Sequence, residues 1–92
     1  MNYDFKIEIT AYMIHGLYLK GNHLMVFALI DHFTKVNGKC HFQSKEIADM
    51  LNLNITTVYT CIKSLYVINH YIEIEKVLTS DGHTLLNIKT IV

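Results

Sequence analysis

The sequence predicts an α+β fold in a single domain: a three-helix core, two of whose helices form a helix-turn-helix, with a small antiparallel β-sheet. Three observations predict it. Residues 44–65 read as two short amphipathic helices joined by a tight turn. Residues 71–89 alternate apolar and polar on either side of Thr79-Ser80-Asp81-Gly82, a strong hairpin signal. A chain of 92 residues, 51% apolar and without proline, has the length of one domain and enough apolar mass for one core.

The elements follow in order. Phe5, Ile7 and Ile9 alternate with Lys6 and Glu8, which predicts a half-buried strand over residues 3–9. Residues 11–19 are apolar and fit either an extension of that strand or a short helix. Lys20-Gly21-Asn22 breaks the pattern, with Asn22 as a candidate cap. Residues 23–35 form the first helix, with Val26, Leu29, Ile30 and Phe33 at core spacing. Leu24, Met25, Phe27 and Ala28 are apolar as well, so this helix has nearly two apolar faces. The second face requires a cover, either the N-terminal segment, a second subunit, or both. It is the main sequence argument for a homodimer, with Tyr12, Ile14, Leu24 and Phe27 as the expected interface.

Asn37-Gly38 marks a turn, and Cys40-His41-Phe42 a short strand. Ser44 is expected to cap the next helix, with Glu46 in its first turn and Ile47, Ala48 and Leu51 buried. Leu53 fills the following turn and Asn54 caps a helix from about residue 55 to about 68. Val58, Cys61, Ile62 and Leu65 form its inner side; Thr56, Thr60, Lys63 and Val67 lie opposite, flanked by Thr57, Tyr59 and Ser64. Asn69 or His70 stands at the left-handed position that ends it. On the return strand of the hairpin, Leu86 and Ile88 face one side, and Leu85, Asn87 and Lys89 the other. A helix-turn-helix followed by a hairpin is a winged helix. Residues 1–20 are then an N-terminal strand or arm, residues 44–68 the helix-turn-helix and residues 71–91 the wing, whose two strands join residues 40–42 in a three-stranded sheet.

Particular stretches carry a family resemblance: Leu19-Lys20-Gly21-Asn22-His23-Leu24 with Val26-Phe27-Ala28-Leu29-Ile30, Phe42-Gln43-Ser44-Lys45-Glu46-Ile47-Ala48, Thr57-Val58-Tyr59, and Leu65 before Tyr71-Ile72. Over roughly residues 19–77 the chain resembles the winged-helix domains of plasmid, phage and chromosomal replication-initiation proteins of low-GC Gram-positive bacteria, including the DnaD-like N-terminal domains. The same pattern occurs in many transcriptional regulators. The resemblance implies sequence-specific binding of double-stranded DNA through the second helix of the motif, often as a dimer, in transcription regulation or replication of a mobile element. In some relatives the domain serves instead in oligomerisation and protein contacts, which is the alternative reading here. The chain departs from the pattern in having no arginine, and no glycine near Asn69.

The residues expected to meet DNA are Thr56, Thr57, Tyr59, Thr60, Lys63 and Ser64 on the outer face of helix 55–68. Hydroxyls there can bond phosphates or base edges, and a lysine can reach guanine or phosphate. Lys45 at the start of the preceding helix, and Lys76 and His83 on the wing, are candidate backbone contacts. The charge balance works against this reading: 8 cations, all lysine, offset 8 acidic groups, whereas nucleic-acid binders generally carry positive excess. A neutral, arginine-free domain binds DNA only by clustering its lysines or by dimerising. The tyrosine-rich start (Tyr3, Tyr12, Tyr18) can stack bases, but such residues more often cover a core or an interface.

No cofactor or metal is expected, since the six histidines and two cysteines show no ligand spacing. No phosphate loop, paired carboxylates or activated nucleophile points to an enzyme. The chain has no apolar run long enough for a membrane span, and Met1-Asn2-Tyr3-Asp4-Phe5-Lys6 lacks the pattern of a signal peptide. The expectation is a cytoplasmic protein with two reduced cysteines, Cys40 and Cys61.

Overall fold

The computed structural model describes residues 5–92. The order is a π-helical turn (Tyr12–Gly16), α1 (Gly21–Asn37), α2 (Ser44–Leu51), α3 (Ile55–Lys63) running on into a second π-helical turn (Ser64–Ile68), then β1 (Ile72–Leu78) and β2 (Thr84–Thr90). The described residues are thus α+β: three α-helices, two π turns and a two-stranded antiparallel sheet, an order compatible with a winged helix.

Helix α1 is the hub. Val26, Phe27, Ala28, Leu29, Ile30 and Phe33 are all buried, and α1 packs against α2, α3 and β2. Its second apolar face is covered from within the chain. Met13, Leu17 and Leu19 of the N-terminal segment are buried in the same core, with Phe5 and Ile7 packed at its edge. The Phe5 ring stacks on His32 and meets Phe33 edge-on, both at 5.1 Å. The argument that a second subunit must cover this face therefore falls away. Phe27, 1% exposed and edge-on to Tyr71, has no surface to offer a partner, and Leu24 is half-buried against the core. Tyr12 and Ile14 are exposed.

Four expected elements are corrected. The strand expected over 3–9 is not assigned at residues 5–9: Phe5 and Ile7 turn inward and Lys6 and Glu8 outward, and among the described residues no strand includes them, so the alternation reports one-sided burial. Residues 3 and 4, and Tyr3 with them, lie outside the described residues. Residues 40–42 make a single bridge, Cys40 to Ile88, so among the described residues the sheet has two strands where three are expected. The pairing is continued by a side chain: Gln43 Nε2 donates to Leu86 O at 2.9 Å, and Leu86 N–H donates to Gln43 Oε1 at 3.1 Å. The cap of α2 is Gln43, one residue before Ser44, and Glu46 accepts from Gln43 N–H at 3.1 Å. Helix α1 starts at Gly21 with Lys20 as its N-cap, leaving Asn22 inside it.

Helix α3 begins as expected, with Asn54 Oδ1 accepting from Thr56 N–H at 2.8 Å. Val58, Cys61, Ile62 and Leu65 are buried beneath it. Both π turns end alike, on a non-glycine residue in the left-handed region: Tyr18 (φ 57°) and His70 (φ 57°). Each is spanned by a bond over six residues, Leu19 N–H to Met13 O at 3.0 Å and Tyr71 N–H to Leu65 O at 2.9 Å. The Tyr71 hydroxyl donates to Leu17 O at 3.0 Å and ties the two turns together. Gly38 (φ 84°) closes α1 and Gly82 (φ 88°) the hairpin loop, both conformations that a Cβ disfavours.

The hairpin places Ile72, Ile74 and Lys76 opposite Thr90, Ile88 and Leu86 on its inner face. One polar clamp holds it to α1. The buried Asp31 carboxylate accepts from Thr90 Oγ1 at 2.8 Å and pairs with Lys35 Nζ at 2.8 Å, and Thr34 Oγ1 accepts from Thr90 N–H at 3.1 Å. The carboxylate pushes the Lys35 ammonium above its ordinary pKa.

Candidate nucleic-acid interface

The site is built on α3. Thr56, Tyr59, Thr60 and Lys63 recur at i, i+3, i+4 and i+7, which sets them on one strip of a helix. All four are exposed, Tyr59 at 56%, while Val58, Ile62 and Leu65 anchor the opposite side. Thr57 and Ser64 are half-buried at the margins, Ser64 opening the second π turn. The Thr60 hydroxyl donates to Thr56 O at 3.0 Å. Its proton is thereby committed to the helix, leaving an acceptor oxygen and a methyl group. That pair suits a base amino group or a thymine methyl.

Among the described residues, Lys20, Lys45, Lys63 and Lys76 form no ion pair, whereas Lys35, Lys39 and Lys89 pair with Asp31, Glu75 and Glu73. The lysines expected at the interface, Lys45, Lys63 and Lys76, are among the unpaired ones, and Lys20, not expected there, is another. Lys76 lies on the inner face of the hairpin beyond Ile72 and Ile74, and Lys89 on the outer face, 3.3 Å from Glu73. His83 sits in the hairpin loop with Nε2 3.8 Å from Asp81. The Thr79 hydroxyl donates to Asp81 and holds its carboxyl below the usual carboxylate range. Any phosphate approaching His83 therefore meets a carboxylate beside it, which weakens the loop as an anion contact.

Three of the expected residues, Thr56, Thr57 and Thr60, line one cleft of about 410 Å³ between α3 and the start of α1. Its other wall is Lys20, Asn22 and His23, residues read from the sequence only as a helix boundary. Tyr59, Lys63, Ser64, Lys45, Lys76 and His83 stand outside it. A larger cleft of about 640 Å³ lies over the outer face of the hairpin, between Lys39, Tyr66, Glu73, Glu75, Asn87 and Lys89. Its charges neutralise one another in pairs, with Asn87 Nδ2 donating to Glu75 at 3.3 Å. That lining suits a polyanion poorly.

Among the described residues no three His, Cys, Asp or Glu side chains are placed to hold one metal ion, and no helix is long and apolar enough to cross a membrane. Cys40 and Cys61 are buried free thiols whose pKa values burial pushes up. No family model, curated protein or solved structure matches the chain.

Proposed function

We propose that this chain is a winged-helix protein that binds double-stranded DNA with sequence preference, acting as a homodimer in transcription regulation or in replication of a mobile element. The observation that carries the reading is the outer strip of α3. A helix capped by Asn54 and anchored by Val58, Ile62 and Leu65 presents to solvent Thr56, Tyr59, Thr60 and a Lys63 that forms no ion pair among the described residues. A rigid helix with short polar side chains fits the width of a major groove. Dimerisation enters through charge: one copy brings few free lysines, and two copies double the phosphate contacts.

The test is a salt-controlled gel shift on duplexes selected from a random pool. Lys63→Glu combined with Thr60→Ala lowers affinity at least about tenfold with unchanged melting, since a well-placed base contact is worth about 1–3 kcal/mol. Undiminished binding removes α3 from the mechanism.

A second reading, an interaction or oligomerisation module, is favoured by a different observation. Tyr12, Ile14 and Tyr18 remain exposed around the first π turn, Tyr18 at 82%. Absence of affinity for any duplex at low salt, with self-association lost in Tyr18→Ser, decides for it.

A further inference from the structure

The cleft between α3 and the start of α1 is unassigned by the reading of α3 alone. It joins side chains from two separate parts of the chain: Thr56, Thr57 and Thr60 on one wall, Lys20 and His23 on the other. Thr56 and Thr60 also belong to the outer strip of α3, so the cleft and that strip form one continuous surface. Lys20 is exposed and has no ion pair among the described residues, and His23 is half-buried at the rim. Lysines elsewhere that face carboxylates are paired with them. Among the described residues no carboxylate lines this cleft; the ionisable groups there are an ammonium, an imidazole and the buried Cys61 thiol. An exposed ammonium with the Thr57 side chain beside it, on an open cleft that no carboxylate lines among the described residues, is the chemistry that holds phosphate oxygens.

We propose that this cleft seats the sugar–phosphate backbone of one strand of the duplex whose bases α3 reads, with Lys20 as the principal phosphate contact and His23 and Thr57 beside it. The inference rests on the DNA-binding reading and adds residues 20 and 23 to it. Lys20 positions the helix without reading sequence, because phosphates are common to every site. Its loss weakens binding equally on specific and random duplexes.

The experiment measures binding against salt concentration for the wild-type chain, Lys20→Gln, Lys20→Arg and Lys89→Gln. Lys89→Gln removes the same charge from the outer face of the hairpin. The plot of log affinity against log salt should flatten by about 0.9 per bound subunit in Lys20→Gln. Lys20→Arg should keep the wild-type slope, and so should Lys89→Gln. If Lys20→Gln keeps the wild-type slope while the wild type binds DNA, the cleft is not the phosphate seat and the α3 reading stands. Equal flattening in Lys20→Gln and Lys89→Gln makes the effect one of net charge and also overturns the assignment. If the wild-type chain binds no duplex, the DNA reading itself fails, and this inference with it. Each variant is checked by melting, which an exposed lysine on extended backbone should leave unchanged.

Discussion

The outer strip of α3 and the outer face of the hairpin are both exposed and polar, but they treat their charges differently. On the hairpin, Glu73 faces Lys89 and Glu75 faces Lys39, with Asn87 bridging to Glu75. On α3, Lys63 stands among hydroxyls and forms no ion pair among the described residues. The chain is neutral by count, yet its neutrality is distributed unevenly. A formal net charge averages over pairs that cancel locally and cations that do not. It is the second kind that a polyanion meets, which is how the proposed DNA binding is compatible with a neutral, arginine-free chain.

The comparison can be broken first by removing what holds α3 in place. Leu65→Ala, at a fully buried position under the helix, should cost about 2–5 kcal/mol. Chemical denaturation should show it directly, and any DNA affinity should fall with the folded fraction. A variant of near wild-type stability would mean that α3 is not anchored there. A smaller effect is expected at the clamp between α1 and the hairpin. Asp31→Ala removes the acceptor of Thr90 Oγ1 and the partner of Lys35, at a cost of about 1–3 kcal/mol by melting.

Next comes a dependence on pH. Burial raises the Cys40 and Cys61 pKa values, so the folded chain retains thiol protons that the unfolded chain releases. Stability from this source is whole below the ordinary thiol range and declines as pH rises above about 8.5. Cys61→Ala should flatten the decline measured by melting at successive alkaline pH values; an identical decline in both chains contradicts the assignment. The smallest effect is at the hairpin surface. Glu73→Gln with Glu75→Gln should shift stability by no more than about 1 kcal/mol. Because that face stays remote from DNA in this account, freeing Lys39 and Lys89 should leave the salt slope of duplex binding unchanged; a steeper slope would place the hairpin face on DNA.

Which of these features were legible in the sequence follows from their physics. The Asn54 cap and the spacing of Val58, Ile62 and Leu65 are local, and both appear where the residue pattern puts them. The two apolar faces of α1 are equally local, but what covers the second is not. Periodicity demands a cover without saying whether it comes from the same chain, and Met13, Leu17 and Leu19 supply it. The alternation at residues 5–8 encodes inward and outward sides. Gln43 takes the place of strand pairing by folding its carboxamide onto Leu86, a contact across 43 positions that no short-range pattern announces. Lys20 and His23 escaped for the same reason: they meet α3 only in three dimensions, although a lysine beside a helix boundary with no acid nearby was a usable signal.

The most direct test of the α3 surface uses the burial of the two native cysteines, Cys40 at 0% and Cys61 at 2% exposure. Thr60→Cys and, separately, Lys89→Cys each introduce one exposed thiol, to which a short photo-crosslinker is attached. Irradiation with the selected duplex should crosslink bases from position 60 and leave position 89 without product. Crosslinking from position 89 alone, or equally from both, would contradict the assignment of α3 as the helix that meets DNA.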